Sequence, residues 1–187
     1  SRADNNEIAV GIAQDLGDSL DPYQMTAAGT REILFNVYEG LYKPTSSGDF
    51  APALAESYAV SEDGLQYTFT IRDGVQFHNG TAMDVDDDVY SFNTCAATTV
   101  DSSLAAALSN VVSVEATGEQ TVTITLSAPN SDFLAYVASV YIVPDDYTDQ
   151  ATAPVGTGPF MYVSRSVQEN IIFDKFDGYW GEAAKVD

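Results

Sequence analysis

Two short segments alternate strictly between apolar and hydroxylated side chains, and this pattern narrows the fold more than any other feature of the chain. In Gln66–Arg72, Tyr67, Phe69 and Ile71 alternate with Thr68 and Thr70; in Thr121–Leu126, Val122, Ile124 and Leu126 alternate with threonines. A period of two puts one set of side chains on a core and the other on solvent, so both read as half-buried strands. Asp63-Gly64 and Asp73-Gly74 bracket the first of them. These are turn dipeptides, because glycine accepts a positive φ without steric cost.

Further strands are expected at Glu7–Ala13, where Ile8, Val10 and Ile12 alternate, at Val111–Glu115, Phe160–Val163 and Asn170–Phe173. Tyr58–Val60 is expected to pair with Gln66–Arg72, and Pro52–Tyr58 to form a helical turn or irregular approach. Helical spacing begins at Thr26, with Ile33, Leu34, Val37, Tyr38 and Leu41 three and four apart and Gly40 near the end. The best-defined helix is Asp84–Phe92. Asp84 is placed to cap it, Asp86 and Asp87 face the positive end of its dipole, and Val85, Val89 and Phe92 form the expected buried stripe. Shorter helices are expected at Ser102–Leu108 and Ser131–Ala138. The fold class is mixed α/β with mostly antiparallel strand pairs.

Charge and composition exclude several functions. Against 28 Asp and Glu stand only 7 Lys and Arg, a formal net charge of −21. Phosphate recognition draws on clustered cations, so nucleic acid is not a partner, and an anionic membrane surface is disfavoured for the same reason. With 9 Phe, 11 Tyr and 1 Trp, the 187 residues hold enough apolar surface for a core rather than a disordered chain. One cysteine, Cys95, and one histidine, His78, rule out an intramolecular disulfide, a thiolate zinc site and a histidine cage. No stretch is long and apolar enough to be a membrane-spanning helix.

No catalytic constellation emerges. The acid run Asp84–Asp88 lacks the mid-loop glycine and terminal glutamate of a calcium loop, and reads as a cap followed by a solvated face. Cys95 has no nucleophile signature around it, and His78, in the turn Phe77–Gly80, is expected to bond nearby backbone. There is no GxSxG. Gly156-Thr-Gly-Pro159 lacks the residues of a phosphate loop and reads as a sharp reversal. Tyr179-Trp180 is read as packing rather than a ligand platform. A non-enzymatic binding or scaffolding role is favoured, with no cofactor and no metal.

Several blocks together resemble family 5 extracellular solute-binding proteins, the oligopeptide, dipeptide and nickel receptors of ABC importers. They are Pro52–Tyr58 (PALAESY), Ser61–Thr81 (SEDGLQYTFTIRDGVQFHNGT) and Pro154–Phe160 (PVGTGPF). Leu20–Tyr23, Asn36–Tyr42 and Gly178–Gly181 follow in the family's order and spacing. The resemblance covers essentially the whole chain but only the N-terminal segment of the family's two-lobed receptors. It implies a periplasmic-binding-protein-like fold of type II, with residues 1–42 the first part of lobe one, 43–154 the family's extra domain, 155–187 the return to lobe one, and the second lobe absent.

Function is implied in the same way. The resemblance implies a substrate-binding component that takes up a small solute, most readily a peptide, outside the cytoplasm and delivers it to a membrane permease. Periplasm or cell surface is the implied location, compatible with lipid anchoring through a cysteine upstream of Ser1. Ligands of open α/β sheets sit at strand carboxyl ends, which points to Tyr23, Gln24 and Met25 as ligand-binding. The family's cleft-facing regions add Asp101, Leu104 and the segment Ser139–Tyr141, with Tyr141 the chief candidate. Nickel relatives carry Arg and Trp in these regions, so a nickel-chelate pocket is disfavoured. Asp88 stands where the family has an aliphatic residue, which implies a rotated or more exposed helix. A half cleft leaves a ligand open to solvent, so weak binding is expected from this chain alone. Two alternatives stand beside this reading: a stand-alone extracellular interaction domain, and a carboxylate-dependent hydrolase.

Overall fold

A computed structural model describes residues 7–11, 19–25, 34–165 and 170–181. Three antiparallel sheets organise them. The first joins β1 (Glu7–Gly11) to β9 (Asn170–Lys175) and β8 (Phe160–Arg165) in the order β1-β9-β8, so the start of the chain pairs with its last strands. The second is the ribbon of β2 (Tyr42–Pro44) and β3 (Phe50–Pro52). The third has four strands in the order β4-β5-β7-β6: β4 (Ala55–Val60), β5 (Gln66–Ile71), β7 (Thr121–Leu126) and β6 (Val111–Ala116).

The alternating segments behave as their period requires. In β5, Tyr67, Phe69 and Ile71 are buried, and in β7 Val122, Ile124 and Leu126 are. Their threonines share the other face, where Thr68 and Thr123 lie within hydrogen-bond distance at 3.2 Å. Gly64 and Gly74 adopt φ of 73° and 78°, so the Asp-Gly turns are made as expected. Pro52–Tyr58 departs from expectation. Rather than a helical turn it ends β3 and begins β4, because Ala55 and Ser57–Val60 find ladder partners on β5.

Helix α1 (Val85–Thr98) runs past the expected Phe92 and packs on β6 and β7. Asp84 caps it through a capping box: its Oδ1 accepts from the Asp86 and Asp87 amides at 3.0 and 3.2 Å, and Asp87 Oδ2 accepts from the Asp84 amide at 2.9 Å. The buried stripe is not the expected one. Val85 and Val89 are only partly buried, while Asp87, Asp88, Ser91, Phe92 and Cys95 face inward. The acid run is therefore solvated only at Asp84 and Asp86, and Asp88 is carried inward rather than exposed.

Helices α2 (Ser102–Leu108) and α3 (Phe133–Val137) complete the described elements, the second shorter than expected. The helix expected from Thr26 falls largely outside the described residues. From Leu34 the chain closes in turns that bury Leu34, Val37, Tyr38 and Leu41.

Candidate functional site

The expected ligand residues come from three separate segments, and backbone hydrogen bonds draw them together. Residues 19–25 form a tight turn. Asp21 Oδ1 accepts from the Tyr23 amide at 2.8 Å, and Asp21 O from the Gln24 and Met25 amides, both at 3.1 Å. The chain leaving α1 is tied to this turn by the Val100 amide donating to Tyr23 O at 2.9 Å, which sets Asp101 beside it. Tyr23 Oη then donates to Tyr141 O at 2.7 Å and brings in the third segment. That segment is held in turn: the Ile142 amide donates to Glu39 O at 2.9 Å, and the Val143 amide to Ser91 Oγ at 2.9 Å.

The result is a recess of about 100 Å³ walled by Tyr23, Met25, Asp101, Leu104, Ser139 and Tyr141, with Pro22 and Thr99 at its edge. Five of the six expected residues line it. Gln24 does not: its side-chain amide donates to Thr98 O. Met25, Tyr23 and Leu104 are only 3%, 4% and 5% exposed, so they form the floor. Asp101 is half-buried and Oδ1 caps α2, accepting from the Ser103 and Leu104 amides at 3.0 and 3.1 Å. Sequence reasoning missed Pro22 and Thr99, neighbours of expected residues without chemistry of their own.

A larger cavity of about 840 Å³ adjoins it, and Ser139 and Tyr141 line both. Its wall is aromatic, with Tyr38 stacked on Tyr141 at 5.9 Å between ring centroids. At one side of it stands a junction that the sequence did not reveal. Glu39 accepts from Thr157 Oγ1 at 2.9 Å, Tyr179 Oη at 2.7 Å and Trp180 Nε1 at 2.8 Å. Burial pushes the Glu39 carboxyl up and the three donors pull it back. The Arg72 guanidinium lies 4.3 Å from the centroid of Trp180. Tyr179 and Trp180 thus hold the chain's last described residues to the segment around Glu39, and both also line the larger cavity. The acid between Tyr38 and Gly40 was the available signal.

The groups that could have served catalysis are committed elsewhere. His78 Nδ1 accepts from the Gly156 amide at 3.2 Å, and Nε2 lies 2.9 Å from Gly158 O, which defines a neutral Nε2–H tautomer. Its partners are backbone, as expected, but some 80 residues away. Burial lowers its pKa to about 4. The Gly156–Pro159 loop is more than a reversal. It lies so close to the chain at Asn36 and Val37 that a Cβ on Gly158 would meet Asn36 O at 2.2 Å. Cys95 is buried and its thiol is pushed up to about 12, an inert state. Among the described residues no group of three or more His, Cys, Asp or Glu could hold a metal, and no helix is long and apolar enough to cross a membrane.

Antiparallel sheets thus gather a recess at one wall, and comparison with known proteins gives the family. Residues 49–187 match the model of bacterial extracellular solute-binding proteins, family 5 (middle region), and the chain belongs to that family. The glutathione-binding protein GsiB of Pectobacterium atrosepticum is 33% identical over 171 residues, 87% of this chain and 33% of that protein. The nickel-binding periplasmic protein of Escherichia coli K12 is 31% identical over 155 residues, 78% of this chain and 30% of that protein. Among solved structures, Helicobacter pylori DppA in complex with the peptide STSA superposes with a TM-score of 0.81 at 29% identity, covering 91% of this chain and 39% of that one. NikA from Brucella suis in complex with Fe(III)-EDTA gives 0.80 at 27%, covering 92% and 36%. The chain spans about a third of the length of the curated relatives it matches.

Proposed function

We propose that this chain supplies one wall of the solute cleft in the receptor of an ABC importer, outside the cytoplasm, and that it binds without transforming what it binds. The observation that carries this is convergence. Tyr23 and Met25, Asp101 and Leu104, and Tyr141 are far apart in sequence, yet they wall one recess and are held there by the Val100–Tyr23 backbone bond and the bond from the Tyr23 hydroxyl to Tyr141 O rather than by chance surface proximity. The recess offers an aromatic edge, a pliable thioether and a few polar groups, the mixture typical of small-molecule sites.

A recess of about 100 Å³ is too small to enclose a peptide, since enclosing pockets run to roughly 300–1,000 Å³. The second wall belongs to the remainder of a two-lobed receptor, with residues 1–42 and 155–187 serving lobe one and 43–154 the extra domain. Peptide is the favoured solute class, a membrane permease the partner, and a lipid-anchored or free extracytoplasmic receptor the setting.

Titrating the chain with short peptides while following backbone amide NMR signals tests this reading. Millimolar-range binding that shifts residues 23–25, 99–104 and 139–141 is expected. Micromolar or tighter affinity from this chain alone would overturn the half-cleft, and shifts confined to other residues would overturn the site.

A further inference from the structure

We propose that Asp101 makes this wall selective for a cationic nitrogen, so that the solute class is one presenting an amine or guanidinium group here rather than a carboxylate. The inference rests on the cleft reading above and specifies what that cleft admits.

Among the described residues, Asp101 is the only acidic or basic one lining the recess. The Ser103 and Leu104 amides both donate to Oδ1, and no described residue bonds Oδ2, so Oδ2 is the oxygen left for a ligand. The same two bonds close the start of α2 to an anion, because the amides that would receive it are already engaged. Tyr23 cannot act as the donor to a ligand carboxylate, since its hydroxyl hydrogen goes to Tyr141 O. Asp21 lines the small cavity on the other side of Pro22 and Tyr23. No lysine or arginine is among the described residues lining either cavity.

The setting amplifies the effect. Met25, Leu104 and Tyr23 surround Asp101 with low-dielectric side chains, where a charge–charge term exceeds its value in open water. A carboxylate brought here would meet like charge and lose water without gaining a donor.

The test uses three tripeptides with blocked termini and a central lysine, glutamine or glutamate, titrated into the chain by amide NMR at fixed ionic strength. The lysine peptide should bind about fivefold more tightly than the glutamine peptide, a ratio in the range of one partly exposed ion pair, with the glutamate peptide weakest. Asp101→Asn keeps an N-cap oxygen for α2 and should bring the lysine peptide to the affinity of the glutamine peptide. Glu119→Gln, on the exposed β6–β7 turn, removes the same charge elsewhere and should leave the ratio intact. An unchanged ratio in Asp101→Asn, or an equal loss in Glu119→Gln, overturns selectivity by Asp101 while leaving the cleft standing. If none of the peptides moves the signals of the recess, the cleft reading itself fails and this inference with it.

Discussion

Glu39 and Asp88 are both carboxylates taken out of water, and the chain treats them in opposite ways. Glu39 is partly buried and meets three donors, from Thr157, Tyr179 and Trp180. Asp88 is 0% exposed, and neither of its oxygens has a hydrogen-bond partner. Burial raises the pKa of both, and for Asp88 the neighbouring Asp87 and Asp84 raise it further. The difference lies in what each acid joins. Glu39 ties segments more than a hundred residues apart, so its desolvation is offset by bonds that fasten the end of the chain to its beginning. Asp88 ties nothing, and burial beside Asp87 and Asp84 holds its carboxyl well above the ordinary carboxylate range, because an unpaired charge is costly there.

The largest expected effect comes from emptying the satisfied site. Glu39→Ala leaves three donors facing a gap, and at about 1–3 kcal/mol for each group left unpaired a loss of roughly 4 kcal/mol is expected. Urea denaturation measures it. Glu39→Gln restores one acceptor oxygen and should lose about half as much. If Glu39→Ala costs no more than an exposed substitution, the junction is not a fastening and the contrast with Asp88 disappears.

His78 sharpens the comparison because it combines full satisfaction with a required charge state. Its neutral ring accepts through Nδ1 from Gly156 and donates through Nε2 to Gly158. The folded pKa, about 4, lies below the unfolded value near 6.5, so its stabilisation is present above pH 6.5 and is lost as pH falls through about 4. A shift of that size corresponds to about 3 kcal/mol. Asp87 and Asp88 act in the opposite sense in this window, so the readout is the difference between two proteins: the stability lead of the parent over His78→Gln should shrink by this amount between pH 7 and pH 4. A lead that stays constant with pH would show that His78 does not carry this dependence.

The fold was largely legible, and for a physical reason. Strands β5 and β7 announce themselves through a period of two that only a half-buried sheet can use, and Asp84 through a cap whose chemistry is local. The segments Pro52–Tyr58 and Asp84–Asp88 misled because their structure is decided by partners elsewhere. Pro52–Tyr58 becomes strand only because β5 lies alongside. Asp87 goes inward because its Oδ1 receives the Asp145 amide, 58 residues on, at 2.9 Å. In the site, the expected residues converge except Gln24, whereas Glu39 and the close approach of the Gly156 loop to Asn36 and Val37 were missed because long-range contacts leave no periodic trace.

Asp88 gives the smallest expected effect and the most direct test of the comparison. A carboxyl whose folded pKa is raised behaves oppositely to His78 and to an ordinary paired acid. Below the unfolded pKa, near 3.8, both states hold the proton and the group contributes nothing to the pH dependence. As pH rises the unfolded chain ionises freely, the folded one resists, and stability is lost. Asp87, pushed up to about 7 by burial, works in the same direction over the same window. Asp88→Asn keeps the shape and removes the ionisation. It should match the parent at pH 4 and exceed it at pH 8, by about 2 kcal/mol on the scale of an unpaired buried polar group. Asp88→Val removes the polar atoms as well and should gain at both pH values, so a packing fault in one variant does not hide the result. Equal urea midpoints for parent and Asp88→Asn at pH 8 would mean that Asp88 has found a partner after all, and that α1 carries its acid run at no cost.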